Sequence, residues 1–184
     1  MRLTFDDGPD PRYTPLVLEA LAELGVTATF YCVGRRALRW PALVQRIAAE
    51  GHAVGSHTMT HPDLATLDPL AAIGEIRRGR RAVEQALGEP VRRFRAPFGH
   101  LGTSGKVALA VCRLEHDGWD IDARDWRPEA TAEGLAAVLR AAGPDEVVLL
   151  HDGAERPVDP RCLDRSPTVG ALRLLAGAPR VSAD

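Results

Sequence analysis

Cysteine is scarce in this chain: Cys32, Cys112 and Cys162 are scattered over 184 residues. That count and spacing exclude a disulfide framework and a thiolate zinc cluster, which need cysteines paired at short, regular intervals. Cys32 and Cys112 stand in apolar runs and read as small buried hydrophobes. A surplus of one charge is also missing. The 23 Lys and Arg nearly balance the 25 Asp and Glu, for a net −2, so no polybasic surface argues for nucleic acid or an anionic membrane. No apolar run approaches the ~20 residues that cross a bilayer. No N-terminal leader precedes the first motif; as written, this makes the protein cytoplasmic, or secreted where a leader has been removed. No period of fixed length recurs, which sets aside a solenoid.

What is present is an ordinary globular balance, 45% hydrophobic and 26% charged, over a length that fits one domain, residues 1–184. Arg77, Arg78, Arg80 and Arg81 cluster, followed by Arg92, Arg93 and Arg95; the plain reading of the first group is a solvated helix face. Short apolar runs alternate with amphipathic stretches. Strands are expected at Arg2–Phe5, Val26–Val33, His52–Ser56, Arg92–Arg95, Leu114–Ile121 and Glu146–Leu150, with a stub at Pro179–Ser182. Helices are expected at Thr14–Leu24, Trp40–Glu50, from the Asp68 cap and Pro69 to about Leu87, then Ser104–Cys112, Thr131–Ala142 and Thr168–Leu175. This alternation predicts an α/β fold with a parallel sheet, and six or seven units favour barrel-like closure over an open sheet. Chemistry then belongs at the carboxyl ends of the strands.

Polar residues do follow the apolar runs. Thr4-Phe5-Asp6-Asp7-Gly8-Pro9 places two carboxylates after the first strand, one able to bind a metal while the other faces a water on it. Gly55-Ser56-His57-Thr58-Met59-Thr60-His61-Pro62 follows the third. Its two imidazoles are expected to meet on one side of a helical turn, where a divalent ion can bridge them. Phe94-Arg95-Ala96-Pro97-Phe98-Gly99 ends the fourth, with an arginine able to orient a carboxylate and a fixed loop whose N–H groups can face an oxyanion. Trp119-Asp120-Ile121-Asp122-Ala123-Arg124-Asp125-Trp126 and Val147-Val148-Leu149-Leu150-His151-Asp152-Gly153 complete the set. A strand-end histidine against a carboxylate stays protonated and can donate to a leaving amine.

In this order the five segments resemble the motifs of the polysaccharide deacetylase (NodB-homology) family of carbohydrate esterases, over roughly Leu3 to Leu175. The resemblance implies a distorted (β/α) barrel with fewer than eight strands and a metal-dependent hydrolase that removes N-acetyl groups from an acetylated carbohydrate. By position it implies Asp6 as general base, Asp7, His57 and His61 as metal ligands, and Arg95 as the orienter of the base. Pro97 and Phe98 would form the substrate loop, with the Phe98 N–H toward the oxyanion. Asp125 would support His151 as general acid, with Asp122 the earlier acid of the same motif. Trp126 and Leu149 would enclose the acetyl methyl. The metal implied is zinc, with cobalt or nickel able to replace it. The expected partner is the glycan alone, with no nucleic acid or membrane, and the protein a monomer.

The third motif reads Arg-Ala-Pro-Phe where the family more often has Arg-Pro-Pro-Tyr, so a tyrosine hydroxyl is absent. Rival readings are an O-acetyl esterase on xylan-type glycans, a small-molecule deacylase or deformylase, and a sugar-binding module without catalysis. His52 and His116 read as structural, His100 equally as a substrate contact or a bystander, and Asp120 and Asp152 as turn or supporting groups.

Overall fold

The computed structural model describes residues 1–155 and 159–177. Its strands are β1 (Arg2–Asp6), β2 (Ala28–Cys32), β3 (Ala53–Ser56), β4 (Arg93–Phe94), β5 (Glu115–His116), β6 (Ile121–Asp122) and β7 (Val147–His151). All are parallel, in the order β5-β4-β3-β2-β1-β7-β6. The helices are α1 (Tyr13–Leu24), α2 (Gly34–Arg39), α3 (Pro41–Ala49), α4 (Pro69–Leu87), α5 (Gly102–Cys112), α6 (Ala132–Ala141) and α7 (Ser166–Ala176). None is long and apolar enough to cross a membrane.

Chain reach proves that the sheet curls. The two edges of a flat seven-stranded sheet would stand ~29 Å apart at ~4.8 Å per step. Yet β5 and β6 are those edges, and the five steps from His116 to Ile121 reach at most ~18 Å. The result is the expected distorted barrel. It also corrects the single strand expected at Leu114–Ile121: that segment pairs with β4 at one end and β7 at the other, and its middle spans the gap between the edges. The stub at Pro179–Ser182 lies outside the described residues.

Other boundaries shift for local reasons. Val26 is not in β2, because its N–H bonds the Leu21 carbonyl in the turn closing α1, where Gly25 is left-handed. Helix α2 went unexpected, since its six residues bury only Gly34 and Ala37 and carry no periodic apolar signal. Asp68 caps α4 as expected, accepting from the N–H groups of Leu70 and Ala71. Arg77, Arg78 and Arg81 on α4 are exposed, a solvated face.

Strand alternation divides the labour. Leu3 and Phe5 of β1, Phe30 and Cys32 of β2, and Val148 and Leu150 of β7 point outward into one apolar cluster under α1, α6 and α7. Phe5 and Phe30 stack there at 5.0 Å; losing either ring would cost about 3–5 kcal/mol. A smaller cluster joins Phe94 to Ile76 of α4 and Leu109 of α5. The alternate residues, Thr4, Asp6, Tyr31, His57, Leu149 and His151, line the two cavities inside the curl.

Candidate active site

Parallel register brings the strand ends to one rim. Asp6 pairs with Tyr31 on one side and His151 on the other, and Ser56 with Phe94, so His57 and Arg95 leave adjacent strands together. A regular strand would turn Asp7 away from Asp6. Instead Asp7 has φ 72°, and both carboxylates face the same cleft.

The two histidines do not ride on a helical turn. Residues 57–63 form a loop in which Thr58 and His61 are left-handed, at φ 61° each, and this folds His61 back to His57 with ring centroids 5.0 Å apart. The loop lies directly on α4: a Cβ on Gly79 would come within 2.2 Å of the Thr58 backbone, so glycine is required. Phe98 is left-handed as well, and its ring meets His61 edge-on at 4.8 Å. Of six non-glycine residues with positive φ among the described residues, Asp7, His61 and Phe98 line this site, and Thr58 and Arg124 stand next in sequence to His57 and Asp125. Backbone strain gathers where chemistry needs fixed geometry.

Asp7, His57 and His61 present ligand atoms that all lie within 4.8 Å of one another. Asp7 Oδ1 stands 3.1 Å from His61 Nε2 and 3.5 Å from His57 Nε2, spacings natural for donors ~2.0–2.2 Å from one cation. The carbonyl of Arg95 lies 2.8 Å from His57 Nδ1. A carbonyl can only accept, so Nδ1 carries the hydrogen and Nε2 offers a lone pair. Burial lowers the His57 pKa and keeps the ring neutral. Burial works to raise the Asp7 carboxyl, but the nearby His61 and His151 outweigh it and hold the group well below the usual carboxylate range. Asp7 Oδ1 is buried without a hydrogen bond. An anion facing a bare ring nitrogen repels it unless a cation lies between them, so this donor set fits a divalent metal.

Asp6 stands beside the seat, with Oδ2 3.8 Å from His57 Nε2 and Oδ1 held at 2.9 Å by Arg95 Nη1. Arg95 is fully buried. Its Nη1 also donates to Thr4 Oγ1, while Nε and Nη2 donate to the Asp117 and Gly118 carbonyls in the segment spanning the gap. Across the cleft, His151 Nδ1 lies 2.7 Å from Asp125 Oδ1, and the His151 N–H donates to Asp125 Oδ2. Burial works to lower the His151 pKa, but Asp125, Asp7 and Asp6 push it up to about 9. Burial likewise opposes ionisation of Asp125, yet His151, Arg165 and Thr168 keep it a carboxylate.

The cleft encloses about 580 Å³, lined by Asp6, Asp7, His57, His61 and His151 with Phe98, Trp126 and Leu149. Asp122 lines it as well and accepts from the Arg124 N–H. Arg95 and Asp125 act from behind the wall, both buried. Pro97 does not line the cleft; its ring is buried at the start of the turn carrying Phe98. His100 is exposed beside Asp63, His52 accepts from the Ala28 N–H, and Asp120 exchanges hydrogen bonds with Val147. Asp152 is buried, with Thr14 Oγ1 on Oδ2, and burial raises its pKa to about 7. Sequence reasoning gave no role to Trp119, although it opens the fifth-strand segment, nor to Arg165 or Thr168, which sit outside any motif and meet the site only through the fold.

A polysaccharide deacetylase family model matches residues 1–116, which hold Asp6, Asp7, His57, His61 and Arg95. The chain belongs to the polysaccharide deacetylase family. It is 40% identical to a chitooligosaccharide deacetylase of Bradyrhizobium sp. (strain ANU 289), over 96% of this chain and 82% of that one. It is 37% identical to a peptidoglycan-N-acetylglucosamine deacetylase of Bacillus cereus, over 92% and 76%. A solved family 4 carbohydrate esterase from Streptomyces lividans, in complex with acetate, superposes with a TM-score of 0.84 at 30% identity, covering 96% of this chain and 85% of that one. This polysaccharide deacetylase is thus a hydrolase of the carbohydrate deacetylase type, and its second half, with Asp125 and His151, is covered by these relatives as well.

Proposed function

We propose that this chain removes N-acetyl groups from N-acetylglucosamine-containing glycans, such as chitooligosaccharide or peptidoglycan, using zinc held by Asp7, His57 and His61. One observation carries the reading: a converging cluster of two imidazoles and a carboxylate lies between a carboxylate fixed by arginine and a histidine fixed by aspartate. A divalent cation in that seat supplies Lewis acidity toward an acetamide oxygen and makes a water easier to deprotonate.

The remaining work falls to side chains. Asp6, with Oδ1 tied to Arg95, keeps Oδ2 toward the seat and takes the proton of the attacking water. The Phe98 N–H, on its left-handed turn, faces the charge that develops on the acetyl oxygen; such a donor is worth about 3 kcal/mol of barrier. His151 gives its proton to the departing nitrogen, and Trp126 and Leu149 shelter the methyl. The supported acid favours an amide over an ester, since an amine leaves only once protonated.

Acetate release from N-acetylated chitooligosaccharides and peptidoglycan, measured after chelation and after zinc or cobalt is restored, tests the reading. Activity should vanish with the chelator and return with metal. Undiminished activity after complete metal removal, or none with any metal, would refute it.

A further inference from the structure

We propose that Thr168, at the start of α7, is a positioning residue for proton delivery, fixing Asp125 so that His151 stays aimed at the leaving nitrogen. The inference rests on the reading above and deepens it. Thr168 is completely buried, and its Oγ1 donates to Asp125 Oδ2 at 2.8 Å. Asp125 Oδ1 is committed to the His151 ring and Oδ2 to the His151 N–H. Among the described residues, the Thr168 hydroxyl is thus the one side-chain donor that holds this carboxylate from outside the histidine. Without it, the carboxylate can turn about its own bond and carry the ring with it.

The support reaches further along α7. Arg165, buried just before the helix, donates from Nη1 to the Asp125 carbonyl at 3.2 Å and from Nε to the Gly153 carbonyl at 2.8 Å. One turn of chain therefore grips Asp125 by side chain and backbone and grips the residues following His151. Helix α7 packs on α1 and α6, so these grips are anchored in the outward core. No motif spacing marks Thr168 or Arg165; only the fold brings them to Asp125, 43 and 40 residues away.

The test uses two substrates of unequal demand for an acid. Deacetylation of an N-acetylated chitooligosaccharide needs the amine protonated, whereas an activated ester such as 4-nitrophenyl acetate does not. In T168V, kcat on the amide should fall roughly tenfold, because one of two donors to Oδ2 survives and the ring is misplaced rather than lost. Ester kcat should change less than about twofold. T168S, which keeps the hydroxyl, should restore the amide rate. Equal losses on both substrates, or a T168S as poor as T168V, would assign Thr168 to packing and overturn the inference. An unmodified enzyme inert toward the amide would overturn the functional reading and this inference together, and is told apart because the failure appears before any substitution.

Discussion

The two walls of the cleft use the same side chain to opposite ends. On one wall His57 meets a backbone carbonyl through Nδ1, and burial leaves its ring neutral, with its Nε2 lone pair free to bind a cation. On the other, His151 meets the Asp125 carboxylate through Nδ1, and that charge outweighs burial and keeps the ring protonated. Both rings leave the ends of parallel strands in one curled sheet. The atom placed behind each imidazole decides whether it binds a cation or carries a proton.

The sharpest way to break this contrast is to disable the base proposed to act between the walls. Asp6→Asn keeps the shape and the three ligands, so metal content should stay stoichiometric while acetate release falls by about three orders of magnitude. Retained turnover would take the base assignment from Asp6. Arg95→Lys comes next. A lysine cannot span Asp6, Thr4 and the Asp117 and Gly118 carbonyls at once, so buried acceptors are left unpaired. Turnover should fall about a hundredfold and unfolding free energy by about 3 kcal/mol, read from rates and denaturant titration.

Asp125→Asn should make the two walls alike. An acid must hold its proton, so activity is lost as pH rises through the His151 pKa. That value is pushed up to about 9 by Asp125, Asp7 and Asp6; a cation on Asp7 works against the latter two and brings the basic limb below it. Removing the Asp125 charge destabilises the imidazolium, so the limb should move further down, toward the ordinary imidazole range, with kcat falling tenfold or so near neutrality. A pH–rate profile checks it. The smallest effect belongs to a site on neither wall: Asp68→Ala removes the cap of α4 and should cost about 1 kcal/mol of stability, seen in thermal melts, with kcat unchanged.

Most of the site is legible in the sequence because its residues follow strand ends at short range: Asp6 and Asp7 after β1, His57 after β3, Arg95 after β4, His151 at the end of β7. The barrel was legible from alternation, although Leu114–Ile121 misled: apolar residues bound it at both ends, but its polar middle, Glu115 to Asp120 around Gly118, joins two edges instead of continuing one strand. What escaped depends on backbone conformation or long-range contact. The left-handed residues Asp7, His61 and Phe98 are not themselves glycines, so no residue type announces their conformation, and the His57–His61 spacing suggests a helix that the loop replaces. Arg165 and Thr168 have ordinary local surroundings and gain meaning only from the groups the fold places beside them.

The central claim is that Asp7, His57 and His61 form one cation seat. Calorimetric titration of zinc into the metal-free protein and its Asp7→Ala variant addresses it directly. The account predicts a single tight site in the unmodified chain, binding weakened at least a hundredfold in the variant, and acetate release lost with it. Equal affinity and stoichiometry in both proteins would contradict it.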